Sequence, residues 1–171
     1  LSREIFVISD THFNHANIIK YHNRPFRGSN EMDWVMVDRW NSVVRPQDKV
    51  YHLGDVYMNA SKGYIENILS KLNGHKRLIL GNHDNGKDQI LQKYFEKINI
   101  WRMFPEFGLL LTHVPIHKQS LRENPLAKGK YDLLNVHGHI HSNPSPEGPY
   151  QNVSVEVINY TPISIEELRI R

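Results

Sequence analysis

The chain has 171 residues, 39% of them hydrophobic, which suits one domain with a sizeable core. It contains no cysteine, which excludes disulfides and thiolate metal sites, and no run approaches the roughly 20 apolar residues that cross a bilayer. A net charge of +3 without a dense Lys/Arg run tolerates an anionic substrate but supplies no nucleic-acid-binding arm, whereas eleven histidines form an excess that needs a chemical reason.

In chain order, "LSREIFVISD" lacks the basic-then-apolar layout of a signal peptide, so a soluble, cytoplasmic protein is expected. Within it, "EIFVIS" (4–9) reads as a buried strand that stops at Asp10. Met32, Met36, Trp40 and Val43 recur at helical spacing over 31–44, with Asn30 as N-cap; Trp34, Met36 and Trp40 read as core. "KVYHL" (49–53) is a strand ending at Gly54-Asp55. Ser61 caps a helix over "KGYIENILSKL", which Asn73-Gly74 ends. "KRLIL" (76–80) is a strand ending at "GNHD", followed by a helix near 87–95 and strands near 98–103 and 107–112. "LLNVH" runs as a strand into "GHIH", "SNPSPEGPY" (142–150) is a loop, "NVSVEV" (152–157) alternates as a strand, and a short helix begins near Ser164. Helices and strands alternate first and β character dominates later, which implies an α/β domain with helix-covered sheets.

Five predicted strands end in a polar cluster: "DTH" at 10–12, "GD" at 54–55, "GNHD" at 81–84, "TH" at 112–113 and "HGHIH" at 137–141. Sites in open α/β sheets gather beyond the C-terminal strand ends, so the five clusters can meet. Gly54, Gly81 and Gly138 directly precede polar residues, where a sharp turn or close backbone approach is expected. Asp10 and His12, and likewise His137, His139 and His141, sit two apart and face one side if the backbone is extended. Carboxylate, amide and imidazole donors together suit borderline divalent metals.

These clusters, in this order, resemble the motifs of the calcineurin-like metallophosphoesterases over Ile5 to about His141. "SDTHFNHANII", "RPF", "EMD", "WN" and "VYHLGD" resemble in particular the small prokaryotic predicted phosphoesterases. The resemblance implies a four-layer α/β/β/α sandwich, here a single domain over 1–171. It also implies two divalent ions: Asp10, His12 and His141 hold the first, Asn82, His113 and His139 the second, and Asp55 bridges them. The ions polarise the phosphoryl group and activate a shared water that attacks phosphorus. His83 matches the family's catalytic histidine, which binds a phosphate oxygen and protonates the leaving alkoxide. Asp84 either orients that ring or caps the following helix.

His137 lies before the family motif and reads either as a strand histidine beneath the site or as a further ligand; His52 invites the same caution. His15, Asn14, Asn17, His22 and Arg24 follow the first motif and line a substrate entrance or an ordinary surface, with Arg24 suited to grip a phosphate oxygen. His117, four residues past His113, is a further substrate candidate, and His75 reads as surface. The imidazoles argue against a magnesium-dedicated site; manganese is expected, with iron, zinc or nickel as alternatives. The expected partner is a phosphoester, small molecule or nucleotide rather than protein, with phosphodiesters favoured over phosphomonoesters. A membrane partner is not expected; the mild basicity allows nucleic acid as a partner, but neither a basic stripe nor interleaved aromatics support it. A non-catalytic binding protein on the same fold is the rival from another class, and the complete ligand set argues against it.

Overall fold

A computed structural model describes residues 2–58, 61–122 and 133–169. Strands β1 (Ile5–Ile8), β2 (Lys49–His52), β3 (His75–Ile79) and β4 (Lys97–Asn99) run parallel in one sheet. The last strand, β9 (Ile163–Ser164), joins its edge antiparallel, giving the order β4–β3–β2–β1–β9. A second sheet of β5 (Trp101–Phe104), β6 (Leu109–Thr112), β7 (Leu134–His137) and β8 (Tyr150–Asn152) follows chain order, parallel except for β5.

Alternation along β1 builds the layers. Phe6 and Ile8 point to helices α1 (Ala16–Tyr21), α2 (Ser29–Val43), α3 (Lys62–Lys71) and α4 (Gln89–Tyr94), packing with Met32, Met36, Trp40, Ile65, Ile68 and Leu91. Val7 points the other way, into a core between the sheets with Leu53, Ile79, Leu109, Leu111, Val136 and Val153. A strand buried on both faces must be apolar throughout, which is why β1 reads as a continuous hydrophobic run. Outside the second sheet, Leu110, Leu121 and Leu133 pack together around a 3-10 turn at Lys118–Leu121. Two stacked sheets flanked by helices, as the resemblance implies, are found; among the described residues the outer cover of the second sheet is this 3-10 turn. Among the described residues, no helix is long and apolar enough to cross a membrane.

Local departures have local causes. Helix α2 is capped by Gly28 rather than Asn30, and Glu31 reaches back to accept from Arg27 N at 2.9 Å, closing the first turn. The run 98–103 splits at Ile100, because β4 belongs to one sheet and β5 to the other. The run 152–157 is not a strand: after Asn152 the chain bends over the end of β1, where Ser9 and Ser154 form an isolated bridge. That bridge ties the two sheets together where the polar clusters lie.

Candidate metal centre

The ends of β1, β2, β3, β6 and β7 meet through backbone contacts. Asp10 N donates to Gly54 O (3.0 Å), His12 N to Asp55 O (3.1 Å) and Gly138 N to His113 O (2.8 Å). His83 N donates to Asp55 Oδ1 (2.9 Å) and His139 N to Asp10 Oδ2 (2.8 Å). At Gly138 a Cβ would stand 2.0 Å from Ser9 Oγ and 2.2 Å from Asp10 Oδ2, so only glycine permits this approach. Gly54 adopts φ +108°, which starts the sharp turn into Asp55.

The side chains do not converge by strand alternation. Asp10, His12, Asp55, His139 and His141 all have left-handed backbone, with φ between 48° and 72°. For residues with a Cβ, that conformation costs about 1–2 kcal/mol each. Such strain persists where surrounding structure enforces it, typically at functional sites. β7 ends at His137, so His139 and His141 lie in the following turn rather than on the strand.

Two sets of donors result. Asp10, His12 and His141 each bring a ligand atom within 4.8 Å of the others, and so do Asp55, His113 and His139. His12 Nε2 lies 3.7 Å from Asp10 Oδ1 and 3.6 Å from Asp55 Oδ2, and His141 Nε2 lies 3.8 Å from Asp10 Oδ1. His113 Nε2 lies 3.4 Å from the same Asp55 Oδ2, so one carboxylate oxygen faces both sets. Asn82 Oδ1 joins the second set at 2.9 Å from His113 Nε2 and 3.0 Å from His139 Nδ1.

Asp10 Oδ1 and His12 Nε2 are buried without a hydrogen-bond partner. Leaving such atoms unsatisfied is costly, and their separation exceeds a hydrogen bond while leaving room for one ion between them. The residues therefore fit divalent cations. Burial would raise the pKa of Asp10, but His12, His113, Ser9 and the His139 amide outweigh it and hold the carboxyl well below its usual range. Asp55 is likewise lowered against the effect of burial, chiefly by His113. Burial lowers the pKa of His139. Anionic carboxylates and a neutral imidazole are the forms that ligate metals.

Around the donors stand residues that orient them. His15 Nδ1 lies 3.2 Å from His12 Nδ1, which leaves His12 Nε2 for the centre. His141 Nδ1 pairs with Glu156 Oε1 at 2.8 Å, and His22 stacks on the His141 ring at 3.7 Å. His22, His141 and Glu156 form a third close group that overlaps the first set. Nothing in the sequence singled out Glu156; the available signal was a lone acid within "VSVEV". Asp33, also missed, sits buried on α2 and receives Asn14 N (2.9 Å) and Tyr64 Oη (2.7 Å), fixing the chain after the first motif. His83 is exposed, with its ring centroid 5.8 Å from that of His12. Asn17 is exposed on α1.

Three expectations are corrected. Arg24 is not free to grip a phosphate. It is buried, and its guanidinium donates to Thr11 O (2.9 Å), Asp10 O (2.7 Å), Met32 Sδ (3.5 Å) and Glu156 Oε1 (3.0 and 2.7 Å), which uses all its N–H groups. Asp84 neither pairs with the His83 ring nor caps a helix. Its carboxylate accepts from the backbone N–H groups of Asp55 (2.8 Å), Gly81 (2.8 Å) and Val56 (3.0 Å), locking two strand-end turns together, while Asp88 caps α4. His117 accepts from Gln119 N at the start of the 3-10 turn and lines a different depression, beside Lys118, Arg122 and Tyr150.

The ambiguous histidines resolve as scaffold. His137 is buried, with Nδ1 2.9 Å from Gly138 O and Nε2 2.9 Å from Ser145 Oγ. His52 is buried between Thr11 Oγ1 and Gly54 N, and burial pushes its pKa down to about 3. His75 pairs with Glu96 on the surface.

Comparison with known proteins gives concordant matches. A family model described as calcineurin-like phosphoesterase matches residues 4–168. An uncharacterized protein of Methanocaldococcus jannaschii is 40% identical over 172 residues, covering 96% of this chain and 88% of the relative. The Gene 66 protein of Mycobacterium phage L5 is 29% identical, covering 78% of this chain and 75% of its own. The crystal structure of a protein of unknown function from Aquifex aeolicus superposes with a TM-score of 0.75 at 30% identity, covering 98% of both chains.

Proposed function

The chain belongs to the calcineurin-like phosphoesterase family, and on that premise we propose a dinuclear metal-dependent phosphoesterase acting preferentially on phosphodiesters, built as a single domain over 1–171. One observation carries the dinuclear reading: Asp55 Oδ2 faces His12 Nε2 at 3.6 Å and His113 Nε2 at 3.4 Å. An oxygen shared between two donor sets is what a bridging ligand requires. Asp10, His12 and His141 would hold one ion; Asn82, His113 and His139 would hold the other. When bound, two such ions, of which manganese suits this donor set, supply Lewis acidity toward the phosphoryl oxygens and make an activated water available near neutral pH.

The chain's own residues do the rest. Asp84 fixes the turns that carry Asp55 and Asn82. Asp55 Oδ1 accepts from His83 N, which sets the His83 backbone beside the bridging carboxylate. The exposed His83 ring can then bind a phosphate oxygen and give its proton to the departing alkoxide. Exposure of Asn82, His83 and His139 leaves this side of the centre open, which admits an ester with two substituents on phosphorus.

The test is titration of chelated protein with manganese by calorimetry, together with phosphodiester hydrolysis. Two ions per chain are expected, with Asp55→Asn weakening both and lowering turnover at least a hundredfold. A single ion per chain, or full activity in metal-replete Asp55→Asn, would refute the dinuclear reading.

A further inference from the structure

On the Asn82–His113 side, the donor cluster opens into a groove of about 570 Å³. Its wall begins with Asn82 and His113 themselves and continues over Trp101, Met103, Val114 and Ile116. We propose that this groove is the subsite for an aromatic substituent of the phosphoester substrate, an inference that rests on the phosphoester chemistry above.

The first ground is continuity. The same two residues that stand in the second donor set form the groove's inner end, so an ester meeting those donors has a substituent beside the groove. The second is lining. Trp101 and Met103 share one face of β5, opposite Thr112 and Leu110 of β6. The Thr112 hydroxyl is already engaged, by Val114 O at 2.6 Å and Asn135 Nδ2 at 2.9 Å. Contact and ring stacking, rather than hydrogen bonding at this hydroxyl, are therefore what the groove offers a ligand. The third is exposure. Ile100, Trp101 and Val114 are three of the six large apolar side chains left exposed among the described residues, and all three line this groove. Apolar surface gathered beside a polar site marks recognition. On the opposite side, the imidazoles of His15 and His22 border the first donor set, which suits a polar substituent.

Calorimetric titration of the manganese-loaded protein with phenylphosphonate and with methylphosphonate tests this without requiring turnover. Burying one phenyl ring predicts about tenfold tighter binding of the phenyl compound. In Trp101→Ala that ratio falls to about twofold or less; in Trp101→Phe it is retained, and comparing ligands on one protein guards against altered folding. Equal binding of the two compounds, or a ratio unmoved in Trp101→Ala, overturns the subsite while leaving the metal chemistry standing. Absence of binding by either removes the metal–phosphoryl reading and the subsite with it. Concentration-dependent dimerisation abolished by Trp101→Ala assigns the groove to a second copy instead, and also overturns the proposal.

Discussion

Glu156 Oε1 accepts from both Arg24 and His141 Nδ1, while Arg24 holds the carbonyls of Asp10 and Thr11. One ion pair thus sets the backbone of one proposed ligand and the ring orientation of another. Its other oxygen, Oε2, is buried without a partner, so Glu156 is held by charge and not by full satisfaction. Burial would raise its pKa, but His141 and Arg24 prevail and keep it ionised. Glu156→Gln is expected to weaken manganese binding about tenfold, read by calorimetry, because the anion behind His141 is lost while its shape remains. His83→Ala, by contrast, should leave manganese affinity within about twofold and lower kcat by about 10²–10⁴, the usual contribution of a positioned proton donor. The seven proposed ligands were legible as strand-end clusters of metal-binding residue types. Arg24 misled because a sequence shows that a guanidinium is near a site but not that its donors face inward. Glu156 was hidden because the run containing it alternates like a strand, and the fold bends it over β1 instead.

At the scale of elements, the strands were legible from apolar runs and the helices from spacing, since both sheet faces and one helix face must be buried. Junctions were harder. Ile100 joins two strands that belong to different sheets, and an apolar run does not reveal where the chain changes sheet. Nor does residue spacing reveal left-handed backbone, although Asp and His tolerate it better than most residues and follow each of these strands. The close approach of β1 and β7 gives a direct test. Gly138→Ala places a methyl where Ser9 and Asp10 already stand, and should abolish tight manganese binding while lowering thermal stability. Undiminished affinity in that variant contradicts the packing described. Asp88 caps α4 through Ile90 N at 2.8 Å and also receives the Tyr57 hydroxyl. Its loss in Asp88→Ala should cost about 1–3 kcal/mol in urea unfolding without altering metal stoichiometry.

Across the whole molecule, the two sheets are joined at their strand ends, so the centre lies where their shared core stops. Stability elsewhere is separable from it. Asp48 accepts from Glu4 N, Arg45 N and the Arg45 guanidinium at 2.9–3.1 Å, anchoring the start of β1 to the turn before β2. Burial would raise its pKa, but these donors lower it from 3.8 to about 2. A carboxyl lowered on folding contributes stability above its unfolded value and loses it as pH falls toward the folded one. Asp48→Asn should therefore cost about 1–2 kcal/mol at pH 5, and the difference from the unaltered protein should shrink between pH 4 and 2. Denaturant unfolding across that range checks the sign. The central claim concerns the strand ends, and the most direct measurement is hydrolysis of bis(p-nitrophenyl) phosphate, beside p-nitrophenyl phosphate, by chelated protein before and after manganese is restored. The account predicts no turnover without metal, restored turnover favouring the diester, and its loss in His83→Ala. Diester hydrolysis that survives chelation, or that His83→Ala retains in full, would contradict it.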